Sequence, residues 1–247
     1  MVTLKSPQEI ELMRAAGRIL KRILENLKTC VAPGGITGEI DDLAAELVEK
    51  EGAAPAFKGY RGYPANICIS VNEEVVHGIP VPGKELKPGD IVSLDFGVCY
   101  MGYFADAAIT LPVGKIDSSR RKLIRVTREA MWRAIRQARP GKYLGDVSYA
   151  TQRYVESRGF SVVRQFVGHG IGRCLQEEPE IPNFGEPHQG LLLEEGMVLA
   201  IEPMVNMGGW EVEILDDGWT VVTKDRLPSA HFEHTVAITS NGPEVLT

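Results

Sequence analysis

The 247-residue sequence has no run of 18 or more apolar residues, and it reaches a charged helical pattern by Glu9 without an apolar signal segment. These absences exclude a membrane-spanning helix of the usual length and the usual mark of export. Cysteine is also scarce, and the four positions, Cys30, Cys68, Cys99 and Cys174, never form a Cys-x-x-Cys spacing. This argues against a zinc ribbon or disulfide framework and for reduced thiols. We therefore expect a cytoplasmic protein.

The composition is that of an ordinary folded protein, with 44% hydrophobic and 24% charged residues, enough for one large or two small domains. The net charge of −6 hides an asymmetry. From Lys115 to Lys142 there are ten Lys or Arg against Asp117 and Glu129, so this segment carries +8 and the remainder −14. Such a basic helical face is either a surface for RNA phosphates, as on a ribosome, or an ordinary solvated surface.

The stretch from Asp90 to Leu111 predicts a β-hairpin with one carboxylate in each strand. Two apolar runs of β type contain Asp95 and Asp106 and flank a short turn. A turn centred on Tyr100 and Met101 places the two aspartates directly opposite each other, with Cβ atoms about 5 Å apart. A register two residues different still leaves both on one face, because side chains alternate with period two.

Two like charges in a core repel and are poorly hydrated, so this pair favours a bound cation. Two other interpretations stay open at this point. One protonated and one ionised aspartate would share a hydrogen bond, or the hairpin prediction is wrong and both carboxylates are solvated.

The chain also repeats itself at an offset of 107 residues. Pro33-Gly34 matches Pro140-Gly141, Val48-Glu49 matches Val155-Glu156, and the run from Ile91 to Asp95 matches that from Val198 to Glu202. We predict one domain over residues 1–247 with an internal repeat, roughly 14–111 and 121–215. Each half is a helix-helix-hairpin unit, and a pseudo-two-fold axis places Asp95 and Glu202 at equivalent positions of one cleft.

Further acids and a histidine stand in apolar or glycine-rich surroundings. The full set is Asp95, Asp106, His169, Glu202 and Glu233. Four carboxylates bring a charge of −4, which two divalent ions would balance, and a neutral imidazole suits the same ions. The set is typical of a dinuclear centre with ions about 3.5 to 4 Å apart that activate a water molecule.

Six motifs along the chain form one specific pattern. They are Asn72-Glu73-Glu74-Val75-Val76-His77-Gly78-Ile79-Pro80, Leu94-Asp95-Phe96-Gly97, Asp106-Ala107-Ala108, Gly168-His169-Gly170-Ile171-Gly172-Arg173, Ile201-Glu202-Pro203-Met204 and Phe232-Glu233-His234-Thr235. By this pattern the chain closely resembles the type I methionine aminopeptidases, from its first helix to its last strand. Few residues precede that helix and no long insertion separates Trp219 from Phe232, so we expect the short, bacterial-type form.

The resemblance implies the α+β pita-bread fold, with a mostly antiparallel sheet, which agrees with the repeat. It implies that Asp95, Asp106, His169, Glu202 and Glu233 bind two divalent ions (Co, Mn, Fe or Zn), with Asp106 and Glu233 bridging them. The catalytic residues would be His77, Glu202 and Gln176. A substrate pocket for a methionine side chain would draw on Tyr60, Tyr63, Cys68, His77, Leu175, Gln176 and Trp219. A monovalent cation near Asn72 and Ser229 occurs in some members.

One position departs from the family pattern. The family usually has a histidine where this chain has Gln176, and there it donates a hydrogen bond to the substrate backbone. The glutamine amide still donates, but it does not titrate near pH 7. We expect the departure to affect catalytic rate more than metal binding.

The resemblance implies a metallo-aminopeptidase that removes the initiator methionine from nascent chains when the second residue is small. We expect a monomer with no membrane partner. The alternative is a catalytically weak or non-catalytic pita-bread protein that binds peptides or the ribosome. A decayed enzyme should have lost some of the five metal ligands, and all five are present.

Overall fold

The computed structural model describes residues 2–247, which contain four α-helices and fifteen β-strands. The helices are α1 Pro7–Leu27, α2 Thr37–Lys50, α3 Ser118–Gln137 and α4 Leu144–Glu156, with 3-10 turns at Lys28–Cys30 and Tyr60–Gly62. The first eight strands are β1 Ala54–Pro55, β2 Cys68–Val71, β3 Glu74–Val76, β4 Ile91–Tyr100, β5 Tyr103–Pro112, β6 Ser161–Val162, β7 Gly168–Gly170 and β8 Glu177–Ile181. The others are β9 Val198–Ile201, β10 Met204–Asn206, β11 Val212–Ile214, β12 Val221–Thr223, β13 Ser229–His231, β14 Glu233–Thr239 and β15 Gly242–Val245.

A nine-stranded sheet organises these elements, in the order β1-β4-β5-β14-β9-β7-β8, with β2 paired to β4 and β15 to β14. Two three-stranded sheets, β13-β10-β6 and β11-β12-β3, complete the structure. Every ladder among the described strands is antiparallel. The five predicted metal-binding residues lie on, or directly after, neighbouring strands of the large sheet.

The helices cover one face of the large sheet. Helix α1 begins with a capping box, in which Ser6 and Glu9 bond each other's backbone N–H groups. Its apolar stripe packs against β4 and β5, where Leu94 and Phe96 belong to the same buried cluster. Helices α3 and α4 cover the other half in the same way, against β9 and β14. Because side chains alternate along a strand, Asp95, between Leu94 and Phe96, points to the opposite face.

The hairpin β4-β5 has a two-residue turn, but the predicted register is wrong by two residues. Asp95 pairs with Ala108, and Asp106 pairs with Gly97. The turn is centred on Met101 and Gly102, which have φ of 50° and 79°. Positive φ at both central residues is typical of a type I′ hairpin turn, which glycine favours. The two aspartates are diagonal neighbours on one face, as the period-two alternation predicts.

Gly97 leaves the space that Asp106 and its neighbours use. A Cβ atom at Gly97 would lie 2.8 Å from Cε1 of Phe57, 2.9 Å from Cβ of Ala56 and 3.4 Å from Oδ1 of Asp106. The absence of a side chain thus allows the chain around Phe57 to pack directly over the strand, because the first two distances are too short for any other residue.

Backbone hydrogen bonds recur at the offset of 107 residues. Gly34 N donates to Leu86 O and Gly141 N to Leu193 O, at 2.9 Å and 3.0 Å. The isolated bridges Ile36–Glu85 and Tyr143–Leu192 are related by the same offset. We propose that these equivalences reflect the duplication of one helix-helix-hairpin unit.

No helix within residues 2–247 combines the length and the apolar character that a bilayer crossing needs. All four cysteines are free thiols, as predicted from their spacing.

Candidate metal centre

Five neighbouring strands bring the five predicted metal-binding residues to one place. In sheet order these residues are Asp95 on β4, Asp106 on β5, Glu233 at the start of β14, Glu202 directly after β9 and His169 on β7. All are buried except Glu202, which is partly buried. The set belongs to one cavity of about 110 Å³.

Ligand-type atoms of three of these residues, Asp106, His169 and Glu233, lie within 4.8 Å of one another. Glu202 joins the cluster through its Oε1, which is 3.6 Å from Nε2 of His169. Asp95 joins it through Asp106, whose charge helps to raise the pKa of the Asp95 carboxyl. The four carboxyls and the imidazole thus form one continuous cluster.

The carboxyl groups of the cluster oppose one another's ionisation. Burial and the Asp106 charge hold the pKa of Asp95 well above its usual range, and burial and neighbouring carboxylates do the same for Glu202 and Glu233. Burial raises the pKa of Asp106 to about 7, although the hydrogen bond that its carboxyl accepts from the Ala107 amide acts to lower it. A positive charge at the centre would reverse this effect and leave all four ionised.

His169 presents an unprotonated nitrogen to the cluster. Its Nδ1 lies 2.9 Å from the carbonyl oxygen of Gly170, which only accepts, so Nδ1 carries the proton and Nε2 has the free lone pair. Burial lowers the pKa of His169 to about 4, which keeps the ring neutral at pH 7. A neutral imidazole whose second nitrogen is held by a carbonyl is the usual form of a metal-binding histidine.

The donor set fits a divalent cation. Within residues 2–247, Oδ1 of Asp95, Oδ1 of Asp106 and Oε1 of Glu233 are buried and have no hydrogen-bond partner. Buried carboxylate oxygens are expensive without a partner, and a cation satisfies them. Oxygen ligands with one imidazole suit Mn, Fe, Co and Zn ions.

The same cavity is lined by all seven residues predicted to contact substrate. These are Tyr60, Tyr63, Cys68, His77, Leu175, Gln176 and Trp219. The rings of Tyr63 and Trp219 meet edge to face with centroids 5.2 Å apart, and the Tyr63 hydroxyl donates to the carbonyls of Ile67 and Gly78. The wall is therefore apolar, rigid and partly lined by sulfur, which suits a thioether side chain.

His77 lies between this wall and the carboxylates, with its ring edge to face against Trp219 and Phe166. Its backbone has a φ of 59°, a conformation that is uncommon for a residue with a side chain and is found at functional positions. Burial lowers the pKa of His77 to about 4, so the ring is neutral and offers one N–H donor.

Gln176 lies at the exposed mouth of the cavity. The hydroxyl of Tyr60 donates to its Oε1 over 3.3 Å. Because the amide oxygen is engaged with Tyr60, the amide NH₂ is the group that remains for a substrate carbonyl.

Three residues of this region were not predicted from the sequence. Phe57 and Arg61 line the cavity. His231 is fully buried, with its Nε2 atom 3.5 Å from Oε2 of Glu202. Burial and the nearby His77 lower the pKa of His231 to about 3. His231 precedes Glu233 by two residues, a spacing that would place both on one face of a continuous strand, although the structure divides them between β13 and β14. Phe57 and Arg61 come from a loop without periodic signal.

The structure also brings Asn72 and Ser229 together. The Ser229 N–H donates to the Asn72 carbonyl over 2.8 Å, and the Ser229 hydroxyl donates to Oδ1 of Asn206 over 2.9 Å. A monovalent cation at this point stays a prediction.

Comparison with known proteins gives a consistent result. A model of metallopeptidase family M24 matches residues 11–240. A methionine aminopeptidase from Clostridium perfringens is 56% identical over 247 residues, which cover 100% of this chain and 99% of that protein. The crystal structure of methionine aminopeptidase from Thermotoga maritima is 50% identical with a TM-score of 0.99 and coverage of 100% and 99%. Prolidase from Pyrococcus furiosus is 26% identical with a TM-score of 0.81, covering 99% of this chain and 65% of that one. The predicted pita-bread fold is confirmed.

Replacing Asp106 by asparagine tests the electrostatics of the metal-free cluster. Because burial raises the Asp106 pKa from 3.8 to about 7, the folded protein holds a proton that the unfolded chain releases. The stabilisation from that proton is lost as the pH rises through about 7. We expect Asp106→Asn to gain stability relative to wild type as the pH rises from about 4 to about 7, and not to lose this advantage above it, because Asp95, Glu202 and Glu233 are also freed from a neighbouring like charge.

The measurement is urea unfolding of both proteins in chelator across this range. The buried histidines titrate in both proteins, so their contributions cancel in the difference. With saturating Mn²⁺ the wild type should become the more stable of the two proteins, because only the wild type retains the carboxylate at position 106. A stability difference that is flat or shrinks with rising pH would contradict the electrostatic interpretation.

Proposed function

The chain belongs to metallopeptidase family M24, and we propose that it is a methionine aminopeptidase that removes the initiator methionine of nascent proteins when the second residue is small. The observation that carries this function is a cluster of four carboxyls and one neutral imidazole at the wall of a small apolar cavity. The cavity has room for a side chain at the end of a peptide and not for a folded protein.

We propose that two divalent ions occupy the cluster, because four ionised carboxylates carry −4 and two such ions restore neutrality. When bound, they would supply Lewis acidity, which polarises the scissile carbonyl and lowers the pKa of a water molecule toward neutrality. Asp106 and Glu233 are central in the sheet order, with Asp95 on one side and Glu202 and His169 on the other. That order supports the bridging role for the central pair. The ligands suit Co, Mn, Fe and Zn alike.

The residues of the chain itself bind the substrate and move protons. The wall around Tyr63, Cys68 and Trp219 holds the methionine side chain and excludes water from it. The Glu202 carboxylate, which lies beside His169 in the cluster, accepts a proton from the attacking water and passes it to the leaving amine. The neutral His77 donates its N–H to the oxygen that becomes negatively charged in the tetrahedral state.

Metal dependence is the direct test of this function. We expect the metal-free chain to be inactive on Met-Ala-Ser and to release methionine after addition of Co, Mn, Fe or Zn ions. Asp106→Ala should lower kcat at least about 100-fold, because a central ligand is lost. Mass spectrometry of the peptide measures release, and thermal unfolding checks the fold. Methionine release by the metal-free wild type, or equal turnover by metal-loaded wild type and metal-loaded Asp106→Ala, would refute the proposal.

The non-catalytic alternative has no support in the relatives, which are named as enzymes over nearly their full length. The same peptide assay separates the two functions, since a binding module would retain the peptide and release no methionine with any ion.

The departure at Gln176 generates a prediction about rate. One hydrogen bond from this position is expected to strengthen in the transition state. A neutral amide retains only part of the stabilisation that histidine gives there, so the transition state is about 1 to 3 kcal/mol less stable than with histidine. We expect Gln176→His to raise kcat on Met-Ala-Ser about five- to 150-fold without changing Mn²⁺ affinity. Tyr60→Phe is the matched control, because it frees the amide oxygen of Gln176 and leaves the residue in place.

An unchanged or lower kcat for Gln176→His, with metal saturating and the fold intact, would favour a pocket rebuilt around glutamine for another substrate.

Helix α3 carries most of the basic segment and gives it a continuous exposed face. Arg121, Arg125 and Arg128 are exposed and form no ion pair within residues 2–247, whereas Arg133 and Arg136 both pair with Glu129. We propose that this face contacts ribosomal RNA, where nascent N-termini emerge in the cytoplasm, and that the enzyme acts there as a monomer.

Charge reversal tests the RNA contact. We expect glutamate at positions 121, 125 and 128 to abolish co-sedimentation with ribosomes, and added salt to weaken wild-type binding steeply, because phosphate contacts release counterions. Turnover of free Met-Ala-Ser should be unchanged. In the control variant, glutamate replaces Lys21, Lys50 and Lys87, which are exposed and lie outside the segment. These substitutions change the net charge by the same amount. Equal co-sedimentation of both variants would rule out this surface.

A further inference from the structure

His231 is the one histidine among the described residues whose ring is fully buried and has no hydrogen bond at either nitrogen. Its side chain is 1% exposed. Buried polar groups in folded proteins are almost always bonded, and an unbonded donor costs about 1–3 kcal/mol. A ring in this situation needs a partner in the working protein.

The backbone fixes the position of this ring. Thr110 Oγ1 donates to the carbonyl of His231 over 2.7 Å and accepts its N–H over 2.9 Å. Thr110 Oγ1 lies 2.9 Å from Oγ of Ser93, and His231 pairs with Met204 across β10 and β13. This buried network therefore holds the backbone of His231 in place, and with it the point from which the ring extends.

The acceptor nearest to the ring is Glu202. Nε2 of His231 lies 3.5 Å from Oε2 of Glu202, while Oε1 of the same carboxyl lies 3.6 Å from Nε2 of His169. The carboxyl thus stands between two imidazoles, with one oxygen toward the cluster and the other toward His231. A shift of about half an ångström would turn the 3.5 Å contact into an ordinary hydrogen bond.

We propose that His231 is a positioning residue whose Nε2–H donates to Oε2 of Glu202 and so holds Oε1 toward the metal-binding cluster. The inference rests on the proposed function, because it assumes that the cluster binds divalent ions. Partners that orient metal ligands in this way commonly change metal affinity or activity 10- to 100-fold when they are removed. This positioning depends on the N–H donor of residue 231 and not on the shape of the imidazole ring.

The experiment compares a donor-retaining and a donor-lacking variant of the full chain. His231→Gln keeps an N–H donor, and His231→Leu replaces the ring by an apolar group of similar size. We expect His231→Leu to weaken Mn²⁺ binding, measured by calorimetry, about 10- to 100-fold and to lower kcat with KM unchanged. His231→Gln should retain most of both. His231→Met is the second apolar variant if the leucine chain does not fold.

Two controls separate positioning from packing. The metal-free His231→Leu chain should unfold at the same or a higher urea concentration than wild type, because an unbonded buried polar group has been removed. His234→Leu changes a histidine whose Nδ1 lies 2.9 Å from Oγ1 of Thr247, next to Trp132. It should not affect Mn²⁺ affinity.

Wild-type Mn²⁺ affinity and kcat in His231→Leu would overturn the inference, and so would an equal loss in the glutamine and leucine variants. A wild-type chain that binds no Mn²⁺ would instead overturn the proposed function and the inference with it.

Discussion

Four carboxyl groups are buried together on or beside neighbouring strands, and the cost of burying their charges determines how this region of the protein is built. Asp95, Asp106 and Glu233 are enclosed by a buried apolar sheet, and each has an oxygen without a hydrogen bond among the described residues. Burial raises the pKa of all three carboxyls, and neighbouring carboxylates raise it further at Asp95 and Glu233, so the metal-free protein accommodates these charges poorly. Bound cations would remove both the repulsion and the unsatisfied oxygens, so metal binding and stability are coupled.

The fold meets this constraint by dividing the sheet into two faces. One face packs against α1 and α3 through apolar side chains, and the alternate residues of the same strands carry the carboxyls to the other face. The rigid sheet holds the proposed metal ligands, while loops and short strands supply the other walls of the cavity, including His77, Gln176 and Trp219. Rigid strands hold ligands more precisely than loops, and loops vary more readily in specificity.

Much of this arrangement was predictable because its signals are periodic or repeated. Alternation along β4 and β5 placed Asp95 and Asp106 on one face, and the family motifs added the other predicted metal-binding residues. The exact pairing was not predictable from alternation, since it depends on the positive φ of Met101 beside Gly102. His231 had the alternation signal, but only the structure shows that its ring lacks a partner. Phe57 lies in an irregular loop, and its place over Gly97 follows from tertiary packing alone.

The central claim is that the buried carboxylates exist to hold divalent ions beside the apolar cavity. A crystal structure of the chain grown with Mn²⁺, with anomalous diffraction to locate the manganese, tests it most directly. We predict two anomalous peaks about 3.5 to 4 Å apart, both within bonding distance of Asp106 and Glu233. An absence of peaks at saturating Mn²⁺, or peaks only at surface carboxylates, would contradict the claim.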